Sequence, residues 1–292
     1  MNILQIIVLA LIQGAAELLP VSSSAHVIVA EKWMGLDPGA PEMTFLLVML
    51  HTGTMFAVLF YFWDRWKKLL VNQKGTVRGE HFYFVKMIVI ASALTGVLGL
   101  GLKWGIENIV LMQWLGHEKG EIEHLFRSLP LIATSLTVVG TLILVASQFE
   151  KSARNSRLTV SSAAWIGIVQ GLCLPFRGFS RSGATISTAF FCGINRKLAE
   201  EFSFALAVVV TPPVILLQTK RLLKAAESGL GAASNPIHLF LPGLLGMGFA
   251  FLSGLVALKF LSNSLEKGQW KYFGYYCYGF SAVVLATQWM KG

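Results

Sequence analysis

Charge is scarce in this chain of 292 residues. Asp, Glu, Lys and Arg make up 13% of it, where a soluble domain carries about 25%, too few to coat a globule of this size. Long charge-free windows include Met1–Ala16, Thr44–Trp63, Ser128–Phe149, Leu158–Phe176, Leu239–Leu258 and Tyr272–Met290. Each approaches or exceeds the length of about 18 apolar residues that marks a membrane helix. With 54% hydrophobic residues and a mean hydropathy of +0.63, a soluble enzyme and a disordered chain are excluded. Cysteine is scarce too. Cys173, Cys192 and Cys277 are odd in number, widely spaced and set among apolar residues, which excludes a disulfide framework or a zinc site and leaves packing. The N-terminus lacks a basic leader, and its apolar run passes into Gln13 and Glu17 without a cleavage site, so it reads as retained structure. The net charge of +9 comes from cations in short loops between apolar runs. That pattern fits membrane topology and anionic headgroups rather than nucleic acid.

What is present is a duplication. Ile12-Gln13-Gly14 recurs as Val169-Gln170-Gly171, Ser22-x-Ser24-Ala25 as Ser180-x-Ser182-Gly183, and Glu42-x-Thr44-Phe45-x-Leu47 as Glu201-x-Ser203-Phe204-x-Leu206, at offsets of 157, 158 and 159. Apolar composition can match leucines, but not Gln-Gly and Ser-x-Ser in the same order. The chain therefore reads as one integral membrane domain over 1–292: repeat one 1–105, a linking helix 128–149, repeat two 158–262 and a terminal helix 271–290. Each repeat opens with a half-length apolar segment broken at a proline (Pro20, Pro175), then a second short helix, 23–34 or 182–194. Neither half reaches across a core of about 30 Å, so each pair is expected to be a re-entrant helix–break–helix hairpin. Full spans are expected at 42–63, 84–105, 128–149, 200–219, 237–260 and 271–290.

Lys and Arg crowd the 64–86 loop and the 151–157 linker, which two spans separate, so both face the cytoplasm. The acidic 106–127 loop then lies outside, and the two hairpins enter from opposite sides. The expected fold is all-α and polytopic, with two inverted-topology repeats whose broken helices meet near the midplane. Lys220, Arg221 and Lys224 fall on the wrong side of this scheme.

Polar residues gather at the two breaks. Glu17 is the acidic group inside the first hairpin, with Gln13 one helical turn earlier; an ionisable group at that depth marks function by default. Pro20-Val21-Ser22-Ser23-Ser24-Ala25-His26 opens the second short helix, where Ser22 or Ser23 can cap it. Three hydroxyls and an imidazole exceed what a cap requires, and free first-turn N–H groups suit an anion. In repeat two, Arg177-Gly178-Phe179-Ser180-Arg181-Ser182-Gly183-Ala184-Thr185 offers close backbone approach, hydroxyls and a guanidinium fork for phosphate. Symmetry brings both helix N-termini into one cavity holding Glu17, the serines, His26 and Arg181. His117, Glu118, Glu121, Glu123 and His124 read as a solvated loop, and His51 as packing.

At these residues the sequence resembles the bacterial undecaprenyl-pyrophosphate phosphatases, the bacitracin-resistance family. The family's Glu-Gly-x-x-Glu-Phe-x-Pro-Val-Ser-Ser-x-Gly-His corresponds to residues 13–26 here, and its Pro-Gly-x-Ser-Arg-Ser-Gly-x-Thr to residues 177–185. The resemblance implies catalytic roles for Glu17, Ser23, His26 and Arg181. It places Ser22, Ser24, Arg177, Ser180, Ser182, Gly183 and Thr185 around the phosphate. It also implies a homodimer in the bacterial inner membrane with a site facing the periplasm. Departures occur at Gln13, where the family has a glutamate, at Arg177, where it has proline, and at Ala25, where it has glycine. A lost carboxylate and a gained cation suggest weaker reliance on Mg²⁺ or Ca²⁺, with Glu17 the remaining metal candidate, or a different anionic substrate; no organic cofactor is implied.

The function expected on this resemblance is hydrolysis of undecaprenyl (polyprenyl) diphosphate to the monophosphate and inorganic phosphate. Ser23 is the preferred nucleophile, activated by Glu17 or His26, and attack by a Glu17-activated water is the other route. The rival reading is a polyprenyl-phosphate flippase, since inverted repeats with broken helices are also transporter architecture.

Overall fold

The computed structural model of the chain describes residues 1–37, 40–70, 78–109, 128–227 and 236–289. Ten helices make up the described fold: α1 Ile3–Leu18, α2 Ser23–Trp33, α3 Pro41–Leu70, α4 Arg78–Gly105, α5 Leu129–Phe149, α6 Val160–Cys173, α7 Arg181–Phe191, α8 Arg196–Glu227, α9 Pro236–Glu266 and α10 Trp270–Trp289. No strand occurs among the described residues.

The hairpin helices start and stop by the same chemistry in both copies. At α1, Asn2 Oδ1 accepts from the Gln5 N–H at 2.8 Å and Gln5 Oε1 from the Asn2 N–H at 2.9 Å. Thr159 and Ser162 form the same reciprocal cap at α6, and Thr159 lies 157 residues after Asn2. Helix α2 gives way at Gly35 (φ +68°) and α7 at Gly193 (φ +74°), a conformation that costs other residues about 1–2 kcal/mol. With 16 residues in α1 and 11 in α2, each half spans at most about 24 Å, less than a hydrocarbon core of about 30 Å. Helices α3, α4, α5, α8 and α9 are long and apolar enough to cross it. The span expected at 271–290 forms as α10, but its tyrosines leave it outside that set, and it packs along α5.

Packing between the copies is reciprocal: α1 rests on α9 and α6 on α4, so each copy's first helix leans on the other copy's last. The backbones nearly touch there. A Cβ on Gly14 would lie 2.5 Å from the Ala250 carbonyl oxygen, and one on Gly167 2.4 Å from that of Ala91. Such close approach drives helix association where lipid is as apolar as the side chains.

Polar contacts tie the helix ends. Arg65 at the end of α3 pairs with Glu201 of α8 at 3.4 Å, and Glu150 beyond α5 with Arg196 at 3.1 Å. The Asn155 N–H, between α5 and α6, donates to the Gly193 carbonyl beyond α7 at 2.9 Å. Both ends of the second hairpin therefore lie at one end of the bundle. The first hairpin leaves elsewhere, where the Trp33 indole N–H donates to Thr287 of α10 at 3.2 Å. Residues 110–127, including His117, Glu118, Glu121, Glu123 and His124, lie outside the described residues.

Gly167→Ala is expected to destabilise the chain by about 1–3 kcal/mol through overpacking against α4. Gly96→Ala, whose Cβ meets nothing within 4 Å, serves as the control. Thermal midpoints in detergent check this, and equal midpoints for the two variants would contradict the contact.

Candidate active site

The break after α1 leaves Glu17 in its last turn, 17% exposed, facing the opposite break. Its Oε2 accepts from Ser23 Oγ at 2.5 Å and from Gln13 Nε2 at 3.1 Å; its Oε1 accepts from Arg181 Nη2 at 3.2 Å. One carboxylate therefore joins the first residues of α2 and α7. Ser23 and Arg181 are 158 residues apart, so they occupy the same place in the two copies. Glu17 has no acidic counterpart: its own place in repeat two is Leu174. The duplicated scaffold supplies the convergence, and the single carboxylate supplies the polarity.

Further bonds lock the breaks together. The Gly178 N–H donates to Ser24 Oγ at 3.2 Å, and Ser182 Oγ donates to the Leu19 carbonyl at 3.1 Å. Gly178 has φ +92°, and a Cβ there would meet the Ile132 carbonyl oxygen at 2.5 Å, so only glycine fits. Ser22 also has positive φ, +69°, alone among the described non-glycine residues. That strain, of order 1–3 kcal/mol, sits one residue before Ser23 and turns the chain sharply into α2.

The hydroxyls divide by task. Ser180 Oγ caps α7 by accepting from the Gly183 N–H at 3.2 Å. Ser22 stands at the N-cap of α2 but makes no side-chain cap; its hydroxyl meets Ser24 Oγ at 3.2 Å. The first turn of α2 therefore keeps N–H groups directed at the break. Thr185 is fully buried and bonds Ser203 of α8 at 2.6 Å, so it braces α7 from behind. Arg177 is half-buried in the second break, beside Gly178.

His26 turns away from the carboxylate. A carbonyl only accepts, so Nδ1 donates to the Ser22 carbonyl at 2.7 Å, which leaves Nε2 as the acceptor of the Tyr276 hydroxyl at 2.8 Å. The ring stacks on Phe280 with centroids 3.7 Å apart. With Ile12, Leu19, Phe260 and Tyr276 it lines a cavity of about 590 Å³ between α1, α9 and α10. His51, read from sequence as packing, instead reaches the site: its Nε2 lies 3.3 Å from Gln13 Nε2 and 3.8 Å from Glu17 Oε2. The signal was available, since it is the one imidazole in the charge-free window 44–63.

A divalent ion finds little here. Among the described residues no three His, Cys, Asp or Glu side chains gather where they could hold a metal. Both Glu17 oxygens already serve Arg181, Ser23 and Gln13. The described residues do not fit a protein-built Mg²⁺ or Ca²⁺ site.

Comparison with known proteins shows the family. Residues 6–283 match the family described as bacitracin resistance protein BacA. The chain is 53% identical over 286 residues to undecaprenyl-diphosphatase 2 of Acinetobacter baylyi, covering 98% of each. It is 34% identical to the undecaprenyl-diphosphatase of Desulfosudis oleivorans, again over 98% of each, and 32% identical to that of Moorella thermoacetica over the full length of both.

Arg181→Lys keeps the charge but loses the fork. The affinity of the purified chain for inorganic pyrophosphate, measured by calorimetric titration, is expected to fall at least about tenfold, or roughly 1.4 kcal/mol. Equal affinities would remove Arg181 from the anion site.

Proposed function

The chain belongs to the bacitracin resistance protein BacA family, and from that membership we propose that it is an integral membrane phosphatase acting on undecaprenyl diphosphate. It releases inorganic phosphate and returns the monophosphate, recycling the carrier lipid of cell-wall synthesis, the step that bacitracin resistance depends on. The observation that carries this reading at the site is the 2.5 Å bond from Ser23 to a carboxylate that Arg181 also holds.

We read the reaction as two displacements. Ser23 Oγ bonds to the terminal phosphorus while its proton passes to Glu17. The bond from that phosphorus to the bridging oxygen breaks, and the lipid monophosphate leaves with the electron pair and takes up the proton from Glu17. Water then attacks the phosphoserine, gives a proton to Glu17, and Ser23 departs with that proton restored. Arg181 and the N–H groups of α2 stabilise the charge on the transferred phosphoryl group. No step runs through a metal. The bond from Ser23 to Glu17 favours the serine over direct attack by water. The bonds of His26 to Ser22 and Tyr276 make it a wall of the site facing the apolar cavity, where we place the first isoprene units of the tail.

The packing of each copy's first helix on the other copy's last supports inverted repeats within one domain. The clustering of Arg65, Lys197, Arg154 and Arg157 near one end supports a cytoplasmic face there. A homodimer in the bacterial inner membrane, with the site open to the periplasm, rests on family membership alone. The flippase reading is weaker, because transport has no use for a hydroxyl aimed at a carboxylate.

Ser23→Ala is expected to abolish phosphate release from undecaprenyl diphosphate while lipid binding persists, because the hydroxyl acts in the transition state. Release and binding measured side by side test this. More than about a tenth of wild-type turnover, a loss under roughly 1.4 kcal/mol, would rule out the serine nucleophile. A wild type that moves the lipid across vesicles without releasing phosphate would make the chain a flippase.

A further inference from the structure

The family motif has a glutamate where this chain has Gln13, and the structure shows what that amide is tied to. His51 lies on α3, with Nδ1 2.7 Å from the Leu47 carbonyl oxygen. That oxygen only accepts, so Nδ1 carries the hydrogen and the neutral ring presents Nε2 as an acceptor. Gln13 Nε2 lies 3.3 Å from it and 3.1 Å from Glu17 Oε2. The amide nitrogen has two hydrogens, one for each acceptor. Both acceptors select the same face of the amide, so it cannot flip without losing two bonds.

The direct distance from His51 to Glu17, 3.8 Å, exceeds a hydrogen bond, so the imidazole acts through Gln13. The relay ends on Oε2, the oxygen that accepts from Ser23. Helix α3 is itself fixed in rotation, since a Cβ on Gly53 would lie 2.3 Å from the Met247 carbonyl oxygen. The equivalent amide in repeat two does a different job: Gln170 is fully buried and donates to Thr95 Oγ1 at 3.2 Å, within the packed contact of α6 with α4.

We propose that His51 is a positioning residue for the phosphatase reaction: through the Gln13 amide it aims the Glu17 oxygen that takes the Ser23 proton. The proposal rests on the phosphatase reading above. It also accounts for a working site without the second carboxylate, since a neutral amide between imidazole and carboxylate fixes Oε2 by geometry.

The test is a double-mutant cycle on purified chain in detergent, reading kcat and KM for phosphate release from undecaprenyl diphosphate. His51→Leu removes the acceptor and is expected to lower kcat at least about tenfold with KM within about twofold. His51→Gln, whose side-chain carbonyl can accept from Gln13, is expected to recover kcat to within about threefold of wild type. In a Gln13→Leu background the His51→Leu change is expected to cost less than about twofold, because the relay is already cut. Wild-type kcat in His51→Leu, or the same fold loss in both backgrounds, would overturn the proposal and make His51 packing only. If His51→Leu fails to fold, judged by its thermal midpoint, His51→Gln and Gln13→Leu decide the question, and a tenfold loss in His51→Gln overturns it. Wild-type turnover is read first: its absence defeats the phosphatase reading itself, whereas its presence with unaffected variants defeats His51 alone.

Discussion

One carboxylate, held between a hydroxyl and a guanidinium, fixes the meeting of the two broken helices. A carboxylate at this depth is costly unless it is paired and hydrogen-bonded. Glu17 meets that condition only when both hairpins are in place, because Ser23 comes from the first and Arg181 from the second. Removing Arg181 leaves the carboxylate without its cation, a costly arrangement for a partly buried charge. The Ser24 bond to Gly178 and the Ser182 bond to Leu19 fit this picture: they hold the breaks in register so that the three groups converge. The interaction that joins the two breaks is also the one on which the proposed proton transfer depends.

Duplication explains how such a site arises from a simple scaffold. Two copies of a capped, broken hairpin place residue 23 and residue 181 at equivalent helix starts, both facing the centre. Under the proposed function these two positions become the nucleophile and the clamp, and Glu17 is matched in repeat two by Leu174. The caps at Asn2 and Thr159 and the glycines at 35 and 193 finish the outer ends of the hairpins. At the breaks Ser180 caps α7, and the hydroxyls of Ser24 and Ser182 take up the Gly178 N–H and the Leu19 carbonyl of the opposite hairpin. The first-turn N–H groups of α2 at its break are the donors on which the proposed phosphoryl site draws.

Much of this was legible in the sequence, and the reason is physical. Half-length apolar runs, prolines and Ser-x-Ser pairs recur in the same order in both halves, and broken helices need those features locally, so the hairpins and the convergence of Glu17, Ser23 and Arg181 could be read from spacing. Contacts far apart in sequence could not. His26 sits in the first turn of α2 beside Ser23, yet its ring partner is Tyr276 of α10, 250 residues on. Thr185 shares the second motif but bonds Ser203 of α8, 18 residues on. His51 belongs to a span whose rotation is set by Gly53 against Met247, which no local pattern records. Helix α10 forms where its charge-free run places it, and its tyrosines serve α5 and His26.

The central claim is that Glu17 is the proton acceptor of a phosphoryl transfer and more than the structural knot between hairpins. Glu17→Gln separates these roles, since the amide keeps the shape and can still meet Ser23 while losing the ability to take a proton. Phosphate release from undecaprenyl diphosphate by this variant, purified and shown by its thermal midpoint to be folded, is the most direct measurement. A fall of at least about a hundredfold is predicted, the scale that general base catalysis contributes. Turnover within about threefold of wild type in a folded Glu17→Gln protein would contradict the account.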